Sequence, residues 1–407
     1  MMIELKAGFL PLLDAAILIV AEDKGFAEEQ GIGLTLVKES SWANIRDRVS
    51  VGQFDVAHML APLPIAQNLG LSPLNVSLIA PFALGLGGNA ITVSKQLIDG
   101  MDADVGLTGD PRHAGVALRK IVESRRAAGQ PKIVFAVVHG FSVHAYELRY
   151  WLAACGINPD VDVTLTIVPP TMMSDALASG AIDGFCAGEP WNSHAVDLRL
   201  GEVITTKASI WRSSPEKVLG MRKSWAEENP ERLNKLLLAL HHSALWCGDK
   251  NNVEALTDIL AKPNYLGVEQ RISRKGLSGE VLRGKVQSDF LLYADRAANF
   301  PWVSHALWVF SQMLRWGQLK PSVDGAKRAA ESYRPDLYRQ ALKPHGVPMP
   351  GGSSKVEGGL TKTTVVPSSG GSLSLGPDGF FDGIVFDPNE IETYLQRLEN
   401  NAALHND

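Results

Sequence analysis

Apolar positions along the first 70 residues change their period repeatedly. Continuous or alternating apolar runs, typical of strands, give way to the 3.6-residue spacing that is typical of helices. The predicted elements are, in chain order, strand, helix, strand, helix and strand: Ile3–Phe9, Asp14–Gln30, Leu34–Val37, Trp42–Val51 and Phe54–His58. A further helix is predicted to run toward Gly70. This alternation predicts a largely parallel sheet that is covered by helices.

Two segments of the chain match each other at a spacing of 128 positions. One is "DRVSVGQFDVAHMLAP" and the other is "DALASGAIDGFCAGEP". Both carry Asp, Gly, Asp and Pro at the same offsets: Asp47, Gly52, Asp55 and Pro62 against Asp175, Gly180, Asp183 and Pro190. Each segment has the pattern of a helix end, a glycine stop, a buried strand and a loop. The repeat predicts two similar α/β lobes whose loops face a shared ligand crevice.

After Lys217 the pattern becomes mainly helical. A helix is predicted from Pro230 to about Trp246, because proline is favoured in the first turn of a helix. Further helices are predicted at Val253–Leu260, Pro301–Trp316, Val323–Ser332 and Asp336–Leu342. From Pro348 to Gly376 the chain is rich in Gly, Ser and Thr, which predicts a tail with little core of its own. A last helix is predicted after Asp387.

The composition is that of an ordinary soluble globular protein. The 407 residues are 45% hydrophobic and 20% charged, with a formal net charge of −5. No basic surface for nucleic acid or anionic membrane is therefore expected. Cys155, Cys186 and Cys247 are odd in number and far apart. They form neither a disulfide framework nor a metal-type pair, which fits a reducing compartment.

The N-terminal sequence bears on localisation. The apolar run Phe9–Ala21 has the length of a signal-peptide core, but Pro11 and Asp14 interrupt it and no basic region precedes it. The run is interpreted as part of a strand and a helix. No stretch is long and apolar enough to span a bilayer. The expected location is therefore the cytoplasm, without membrane association.

Three patterns that would indicate an enzyme or a metalloprotein are weak. Cys186 is surrounded by apolar residues at the end of a predicted strand, which favours a buried structural cysteine over a nucleophile. The glycines of "GLGGNA", Gly85–Ala90, precede a strand-like segment instead of a helix, which excludes a dinucleotide loop and favours a hinge crossing or a close approach to a ligand. The ten histidines show no metal-ligand spacing. No enzyme activity, cofactor or metal is expected.

Three residues are candidates for binding an anion. His144 precedes a helix-like segment and has the position to point a ring N–H at an anion, although a structural histidine is the simpler interpretation. Lys217 precedes an apolar strand, where either an exposed strand end or a buried site would explain it. Trp42 begins its helix, and a core or surface tryptophan remains an alternative to a pocket wall.

Several motifs together carry a resemblance to one family. They are "GFLPLLDAAILIVAEDKGFAEEQGIGLTL", "SSWANIRDRV", "HAYELRYWLAACGINPD", "GAIDGFCAGEPWN" and "EKVLGM". From about residue 3 to 345 the chain resembles the nitrate/bicarbonate-binding proteins of ABC transporters. The resemblance implies a type II periplasmic-binding-protein fold, with two α/β lobes and a ligand cleft between them. The implied domains are lobe I from 1–92 and 209–345, lobe II from 93–208, and a Gly/Ser-rich tail from 346–407.

The resemblance also implies the residues of a nitrate pocket. Matched motif by motif, they are Trp42, Asn89, His144, Gly188 and Lys217. Family nitrate binders carry glutamine where this chain has Asn89, so a tighter pocket, a bridging water or a preference for nitrite is implied. Family bicarbonate binders have an acidic residue in place of the lysine and use calcium, so Lys217 argues against bicarbonate. A charge-assisted hydrogen bond from this lysine contributes roughly 1.5–3 kcal/mol.

Because no export signal is recognised, the chain is most similar to cytoplasmic NasS-type nitrate/nitrite sensors. Such a sensor is expected to hold a NasT-type (ANTAR) RNA-binding antiterminator while ligand-free and to release it when the anion binds. Direct contact with nucleic acid is not expected. The alternative is a nitrate-binding component of an ABC transporter. Enzymes of thiamine-pyrimidine synthesis and of sulfonate metabolism share the fold, but the cysteine- or histidine-rich motif of the former is missing.

Overall fold

The strands of the protein form two main sheets within residues 2–403, the part of the chain that the computed structural model describes. In chain order they are β1 Ile3–Phe9, β2 Ile32–Lys38, β3 Val56–Leu60, β4 Leu78–Ala83, β5 Leu86–Gly87, β6 Asn89–Ser94, β7 Ile133–Val137, β8 Val163–Ile167, β9 Gly184–Gly188, β10 Gly201–Thr206, β11 Lys217–Arg222, β12 Leu291–Leu292, β13 Met349–Pro350, β14 Thr364–Val366, β15 Ser368–Ser369 and β16 Leu373–Leu375. The first sheet has the order β2-β1-β3-β11-β4, and the second has the order β10-β6-β9-β7-β8.

The two sheets have the same topology. In the first, β1 is parallel to β2 and β3, and β11 joins β3 and β4 in antiparallel orientation. In the second, β7 is parallel to β8 and β9, and β6 joins β9 and β10 in antiparallel orientation. Each sheet therefore receives its fourth strand from a chain segment that arrives from the other lobe. The prediction of two α/β lobes is confirmed.

The aspartates of the 128-residue repeat occupy equivalent places in the two lobes. A carboxylate oxygen of Asp55 accepts a hydrogen bond from the Lys6 amide at 2.8 Å, and one of Asp183 accepts from the Val134 amide at 2.8 Å. The amides of the same aspartates donate to the carbonyls of Lys6 and Val134, at 2.9 and 2.8 Å. Each aspartate thus fixes the start of its strand against the neighbouring parallel strand. The repeat in the sequence is a repeat in the structure.

Helices connect and cover the strands. The α-helices are α1 Ala16–Asp23, α2 Phe26–Glu29, α3 Trp42–Ser50, α4 Pro62–Asn68, α5 Lys95–Ile98, α6 Val105–Thr108, α7 Pro111–Ala127, α8 Val143–Ala154, α9 Met173–Ala178, α10 Trp191–Asp197, α11 Lys207–Ile210, α12 Lys223–Glu228, α13 Pro230–Gly248, α14 Val253–Ala261, α15 Gln270–Ser278, α16 Val303–Arg315, α17 Gly325–Ala330, α18 Pro335–Leu342 and α19 Ile391–Ala403. Short 3-10 helices lie at Leu13–Ala15, Pro170–Met172, Lys250–Asn252, Asp295–Ala297 and Lys343–His345. Within the described residues, no helix combines the length and the apolar character that a membrane crossing requires.

Several predicted elements differ from the structure in their bounds, and two of the differences have a clear physical cause. The single helix predicted at Asp14–Gln30 is wrong, because it divides into a 3-10 turn, α1 and α2. Gly25 separates the two α-helices with φ of 80°, a left-handed conformation that a right-handed helix does not continue through. The strand predicted at Phe54–His58 begins two residues later, because the carboxylate of Asp55 anchors the turn before it.

The chain crosses between the sheets at 84–88 and again at 207–216. The glycines of "GLGGNA" lie in the first crossing, where β5 pairs with β12. Gly87 has φ of 79°, and a Cβ there would lie 2.1 Å from the Phe290 carbonyl oxygen, so this close backbone contact requires glycine. Strand β6, beginning at Asn89, already belongs to the second sheet. The lobe boundaries at 92/93 and 208/209 stay predictions.

The C-terminal segment 346–400, here called the strap, is more extensively packed than its composition predicts. Phe380 stacks on Trp211 with ring centroids 4.6 Å apart, and the Tyr394 hydroxyl accepts a hydrogen bond from the Trp308 indole at 3.0 Å. Phe386 is fully buried. The expectation of little core was wrong because a few large side chains, separated by stretches that contain glycine, dock onto the body of the protein. The helix predicted after Asp387 is confirmed as α19.

Candidate functional site

The residues predicted to bind an anion lie together between the two sheets. Lys217, the first residue of β11, pairs with Leu60 at the carboxyl end of β3. Asn89, the first residue of β6, pairs with Gly188 at the carboxyl end of β9. The two sheets therefore present their carboxyl ends to one region, where open α/β sheets place their ligands.

Two helix starts complete this region. Trp42 begins α3 after the N-cap Ser41, whose hydroxyl accepts from a backbone amide of the first turn at 3.2 Å. His144 lies in the first turn of α8 after the N-cap Ser142, whose hydroxyl accepts from the Ala145 amide at 3.1 Å. Both side chains are buried. Capping thus fixes the helix ends that carry the tryptophan and the histidine.

Lys217 is buried, so the exposed strand end considered for it is wrong. Its ammonium donates to Asp14 Oδ2 at 2.8 Å and to Glu216 Oε1 at 2.8 Å. It also lies 5.2 Å from the centroid of the Trp42 ring. A buried ammonium is stable only when it is paired, and two carboxylates provide the pairing here. The sequence predicted the lysine but neither of its partners.

Glu216 is the centre of the cluster. Its Oε2 accepts from Asn89 Nδ2 at 2.6 Å and from Lys207 Nζ at 2.5 Å. Its Oε1 lies 3.2 Å from His144 Nδ1 and accepts from Lys217. Three of the predicted binding residues therefore contact the same carboxylate, which precedes Lys217 in the sequence. The sequence did contain a signal for Glu216, because it is a second charged residue, next to Lys217, at the start of the apolar segment "EKVLGM".

Asp14 connects the lysine to a second histidine. Its Oδ1 lies 2.9 Å from His58 Nε2, while the Leu10 amide donates to His58 Nδ1 at 3.4 Å. The His58 ring packs edge-on against Trp42 with centroids 5.2 Å apart. This pair was not predicted from the sequence, although a charged residue inside the apolar run "FLPLLDAAILIV" was a usable signal.

Gly188 lets the two lobes approach closely. A Cβ on this residue would lie 2.8 Å from Leu12 Cδ2 and 3.3 Å from Asn89 Oδ1. Contacts below 3.0 Å require a neighbouring atom to move, so any side chain here would displace the leucine or occupy the space in front of Asn89. The absence of a side chain is what allows the Asn89 amide to lie at the cluster.

Several polar atoms of the cluster make no hydrogen bond of good geometry among the described residues. They are both ring nitrogens of His144, Asn89 Oδ1, Trp42 Nε1, His58 Nε2, Asp14 Oδ1 and both carboxylate oxygens of Glu147. All of these residues are buried. Buried polar atoms are normally hydrogen-bonded, and exceptions often mark a place where a ligand or water binds. Three of these residues, Trp42, Asn89 and His144, were predicted from the sequence for the pocket, and the others were not.

The pKa values indicate a cluster with balanced charges. Burial would raise the pKa of Asp14, but Lys217 and His58 outweigh it and lower the value to about 2. Burial likewise opposes ionisation of Glu216, yet His144 and the two neighbouring lysines hold its pKa well below its ordinary range. Burial would lower the pKa of Lys217, but the two carboxylates raise it. Two carboxylates thus offset the two ammonium groups.

The other titratable groups of the cluster are neutral at pH 7. Burial lowers the pKa of His144 to about 3 and also lowers that of His58. Burial raises the pKa of Glu147 to about 8, although Lys207 opposes it. Burial also raises the pKa of the Cys186 thiol well above its ordinary value, which supports a structural cysteine over a thiolate nucleophile. Within residues 2–403 no side chains are grouped as a metal site would require.

Comparison with known proteins places this arrangement in a family. The model of the NMT1-like family matches residues 3–261. The nitrate/nitrite binding protein NrtA of Synechococcus elongatus is 32% identical over 97% of this chain and 86% of that protein. The chain belongs to the NMT1-like family. Another relative, the nitrate import ATP-binding protein NrtC of Synechocystis, is 34% identical over 97% of the chain. The chain spans 55% of that relative's length.

Solved structures confirm the predicted fold class. The crystal structure of the periplasmic nitrate-binding protein NrtA from Synechocystis matches the NMT1-like chain with a TM-score of 0.83 and 28% identity, over 98% of both chains. The ligand-binding component of an ABC-type import system from Staphylococcus aureus matches with a TM-score of 0.63 at 16% identity, which supports the fold alone. The protein has the two-lobed α/β fold of periplasmic binding proteins.

Proposed function

We propose that this chain binds nitrate or nitrite within the buried cluster around Lys217. The observation that carries the proposal is the buried Lys217 ammonium, which shares Glu216 Oε1 with the His144 ring and lies over the face of Trp42. The similarity to proteins named as nitrate/nitrite binding proteins supports the same ligand. The proposed ligand-binding residues are Trp42, Asn89, His144, Gly188 and Lys217.

The chemistry of the anion fits these groups. Nitrate is a planar monoanion whose oxygens accept hydrogen bonds and which has no proton to donate. An ammonium has three donors, of which Lys217 uses two on Asp14 and Glu216. The third donor, the Asn89 amide and the His144 ring are the groups proposed to hold the oxygens. Trp42 supplies an aromatic wall for the planar face.

The carboxylates set a limit on the charge of the ligand. Asp14 and Glu216 already offset the charge of Lys217 and Lys207, so the cluster has no excess of positive charge. A dianion would bring two uncompensated charges into a buried site, at a much larger desolvation cost than a monoanion. The cluster is therefore proposed to favour monoanions over sulfate-like dianions.

Calorimetric titration of the purified protein tests the proposal. Nitrate and nitrite are expected to bind, bicarbonate and sulfate to bind more weakly, and Lys217→Ala to abolish binding. Lys223→Ala removes an exposed lysine at the start of α12, directly after the same strand, and serves as the matched control. Equal nitrate affinity in the wild type and in Lys217→Ala would contradict the proposed site.

For the cellular role, we propose that the chain acts as the solute-binding component of an ABC transporter. The relatives named as nitrate import and nitrate/nitrite binding proteins support this role. The resemblance to NasS-type sensors supports a second candidate, a cytoplasmic protein that holds a NasT-type ANTAR antiterminator until nitrate or nitrite releases it. Closure of two lobes is a suitable two-state element for either role.

Two measurements separate the candidate roles. Fractionation of cells that express the full-length gene at its native level shows whether the protein lies in the periplasm or in the cytoplasm. Co-purification with an ANTAR protein from the same cells, with and without nitrate, tests sequestration. A cytoplasmic protein that releases the antiterminator on nitrate addition would support the sensor and contradict the transport role. A periplasmic protein would do the reverse.

A further inference from the structure

The two ring nitrogens of His144 have different surroundings. Nδ1 lies 3.2 Å from Glu216 Oε1. Both nitrogens are buried and neither makes a hydrogen bond of good geometry among the described residues, so it is the nearby carboxylate at Nδ1 that distinguishes them. A neutral imidazole has one nitrogen that donates a hydrogen and one that presents a lone pair, whereas the protonated ring donates from both. The environment of Nδ1 therefore decides what Nε2 offers to a ligand.

Glu216 places the hydrogen of the neutral ring on Nδ1. The glutamate is ionised because Lys207 and Lys217 both donate to it, and an ionised carboxylate only accepts hydrogen bonds. An unprotonated Nδ1 would put its lone pair against the carboxylate oxygen, which is repulsive. The neutral ring consequently presents a lone pair at Nε2, and a lone pair repels an anion.

The charges around the ring also favour the uptake of a proton when an anion binds. The groups that face His144 from neighbouring elements are Asp14, Glu216, Lys207 and Lys217. Their two negative and two positive charges cancel, and Glu147 on the same helix is neutral at pH 7 because burial raises its pKa to about 8. A bound monoanion would leave one uncompensated negative charge in a buried site, which is costly unless a proton accompanies it.

We propose that nitrate binds to this chain together with one proton, which is taken up by His144. The inference rests on the proposed function and adds a second ligand, the proton, to it. Protonation turns Nε2 from an acceptor into a donor aimed at the anion, and it restores neutrality in the cluster. Glu216 acts as the positioning residue, because its carboxylate, 3.2 Å from Nδ1, favours a hydrogen on that nitrogen in both protonation states. The other cluster histidine, His58, accepts from the Leu10 amide at Nδ1, and its Nε2 lies 2.9 Å from Asp14 Oδ1, so its hydrogen is on Nε2 and faces the carboxylate.

The proposal predicts a specific pH dependence. The free protein has a neutral His144 throughout the range from pH 5.5 to 8, since burial lowers its pKa to about 3. If the complex carries the extra proton throughout that range, linkage requires the nitrate affinity to fall by about tenfold for each unit of rising pH. Nitrate itself remains a monoanion over this range, so any proton that is taken up binds to the protein.

Calorimetry in two buffers measures the proton directly. Nitrate is titrated at pH 7 into wild-type protein in HEPES and in Tris, whose ionisation enthalpies differ, and the difference between the two binding enthalpies gives the number of protons bound. About one proton is expected for the wild type and about none for His144→Gln, whose affinity is expected not to vary with pH. His241→Gln replaces a half-buried histidine of α13 outside the cluster and is expected to behave as the wild type. Glu147→Gln tests the other neutral group and is expected to retain the uptake.

A second measurement requires no variant. Nitrogen-15 chemical shifts of labelled histidine distinguish neutral from protonated rings, and one ring is expected to become imidazolium when nitrate is added. Nitrate binding without proton uptake would overturn the inference and leave the proposed function intact. Uptake that persists in His144→Gln but disappears in Glu147→Gln would overturn the assignment to His144. Absence of nitrate binding at every pH would overturn the proposed function, and the inference with it.

Discussion

At the scale of single residues, the lack of a side chain at Gly188 matters to the proposed site as much as the charged groups around it. Asn89 lies opposite this glycine in the second sheet, and Leu12 of the first lobe lies within reach of any added Cβ. The close approach of the two lobes at this point therefore depends on a position without a side chain. A methyl group here adds no charge or hydrogen-bonding group, and it acts by crowding Leu12 and the space in front of Asn89.

We expect Gly188→Ala to weaken nitrate binding by about tenfold or more. Overpacking of a tight contact costs about 1–3 kcal/mol, and the cost falls on the closed state that holds the ligand. Calorimetric titration measures the effect. Gly140→Ala adds a methyl group where no atom lies within 4 Å, and its affinity should equal that of the wild type. An unchanged affinity in Gly188→Ala would show that closure does not bring this glycine against the ligand.

The sequence could identify the residues proposed to face the ligand but not those that neutralise them. Trp42, His144 and Lys217 occupy recognisable positions at the starts of elements. Asp14 meets Lys217 across 203 positions of sequence, a pairing that only the arrangement of the lobes produces. Burial is the physical reason for such partners, because a lone buried ammonium would lose its proton. The need for acidic partners was predictable, but their identity was not.

At the scale of elements, a buried ion network fastens the strap to α16. Glu357 is fully buried, accepts from the Ser304 hydroxyl at 2.6 Å and lies 3.4 Å from His305 Nε2. Lys355 pairs with the same carboxylate and donates to Asp378 Oδ2 at 2.6 Å. Two turns of the strap are thereby joined to one helix end, which explains how a segment rich in Gly and Ser holds a defined path.

This network is expected to make the fold sensitive to acid. Burial would raise the pKa of Glu357, but Lys355 and His305 lower it from 4.5 to about 2. A lowered pKa contributes stability that is complete above pH 4.5 and is lost as the pH falls toward 2, at most about 3 kcal/mol for this group. Thermal unfolding followed from pH 6 to pH 3 should show the loss. Asp14 titrates over the same range and adds to it.

The variant Glu357→Gln separates the acid sensitivity that comes from Glu357 from that which comes from Asp14. It is expected to lower the free energy of unfolding at pH 7 by about 2–3 kcal/mol, because a buried ion pair is broken while Lys355 keeps Asp378. Its further loss of stability between pH 5 and pH 3 should be smaller than that of the wild type. Glu392→Gln, on the exposed face of α19, is the control. Identical acid sensitivity in Glu357→Gln and the wild type would contradict this role.

Elements were predicted correctly where a single hydrophobic period, helical or strand-like, extended over the whole segment. They were predicted wrongly where contacts with distant parts of the chain determine the structure. The helices predicted at Trp42–Val51 and from Pro230 to about Trp246 correspond to α3 and α13 within about two residues. The strap was predicted to have little core, because composition averages over a segment and does not show that Phe380 reaches Trp211. Sequence pattern reports local order, whereas docking of isolated aromatic residues depends on a surface built elsewhere in the chain.

At the scale of the whole molecule, the lobes are joined by more than their two crossings. Lys285, in the segment after α15, donates to the Thr108 carbonyl of the second lobe at 3.0 Å. The strap contacts the second lobe as well, where Asp382 accepts from the Tyr150 hydroxyl at 2.8 Å. It also covers Trp211 in the second crossing and Trp308 in α16. The strap is therefore part of the structure that connects the lobes.

Removal of residues 346–407 is expected to destabilise the protein by several kcal/mol. It exposes the aromatic surface around Trp211 and Trp308, and each buried phenylalanine of the strap contributes about 1.5–3 kcal/mol. The expected result is a lower melting temperature, a red-shifted tryptophan emission and binding of a hydrophobic dye. A chain that lacks only residues 404–407 is the control. A truncated protein with the melting temperature of the full chain would contradict a structural role of the strap.

The exchange of strands between the lobes has a consequence for protein synthesis. β11 lies between β3 and β4 of the first sheet, yet it follows the whole second sheet in the sequence. As the chain leaves the ribosome, β1 to β4 emerge without the strand that joins β3 to β4. The second sheet, by contrast, can close as soon as β10 has emerged. The lobe that begins first is thus the lobe that finishes last, and its unpaired strand edges are the part of the nascent chain most in need of protection from aggregation.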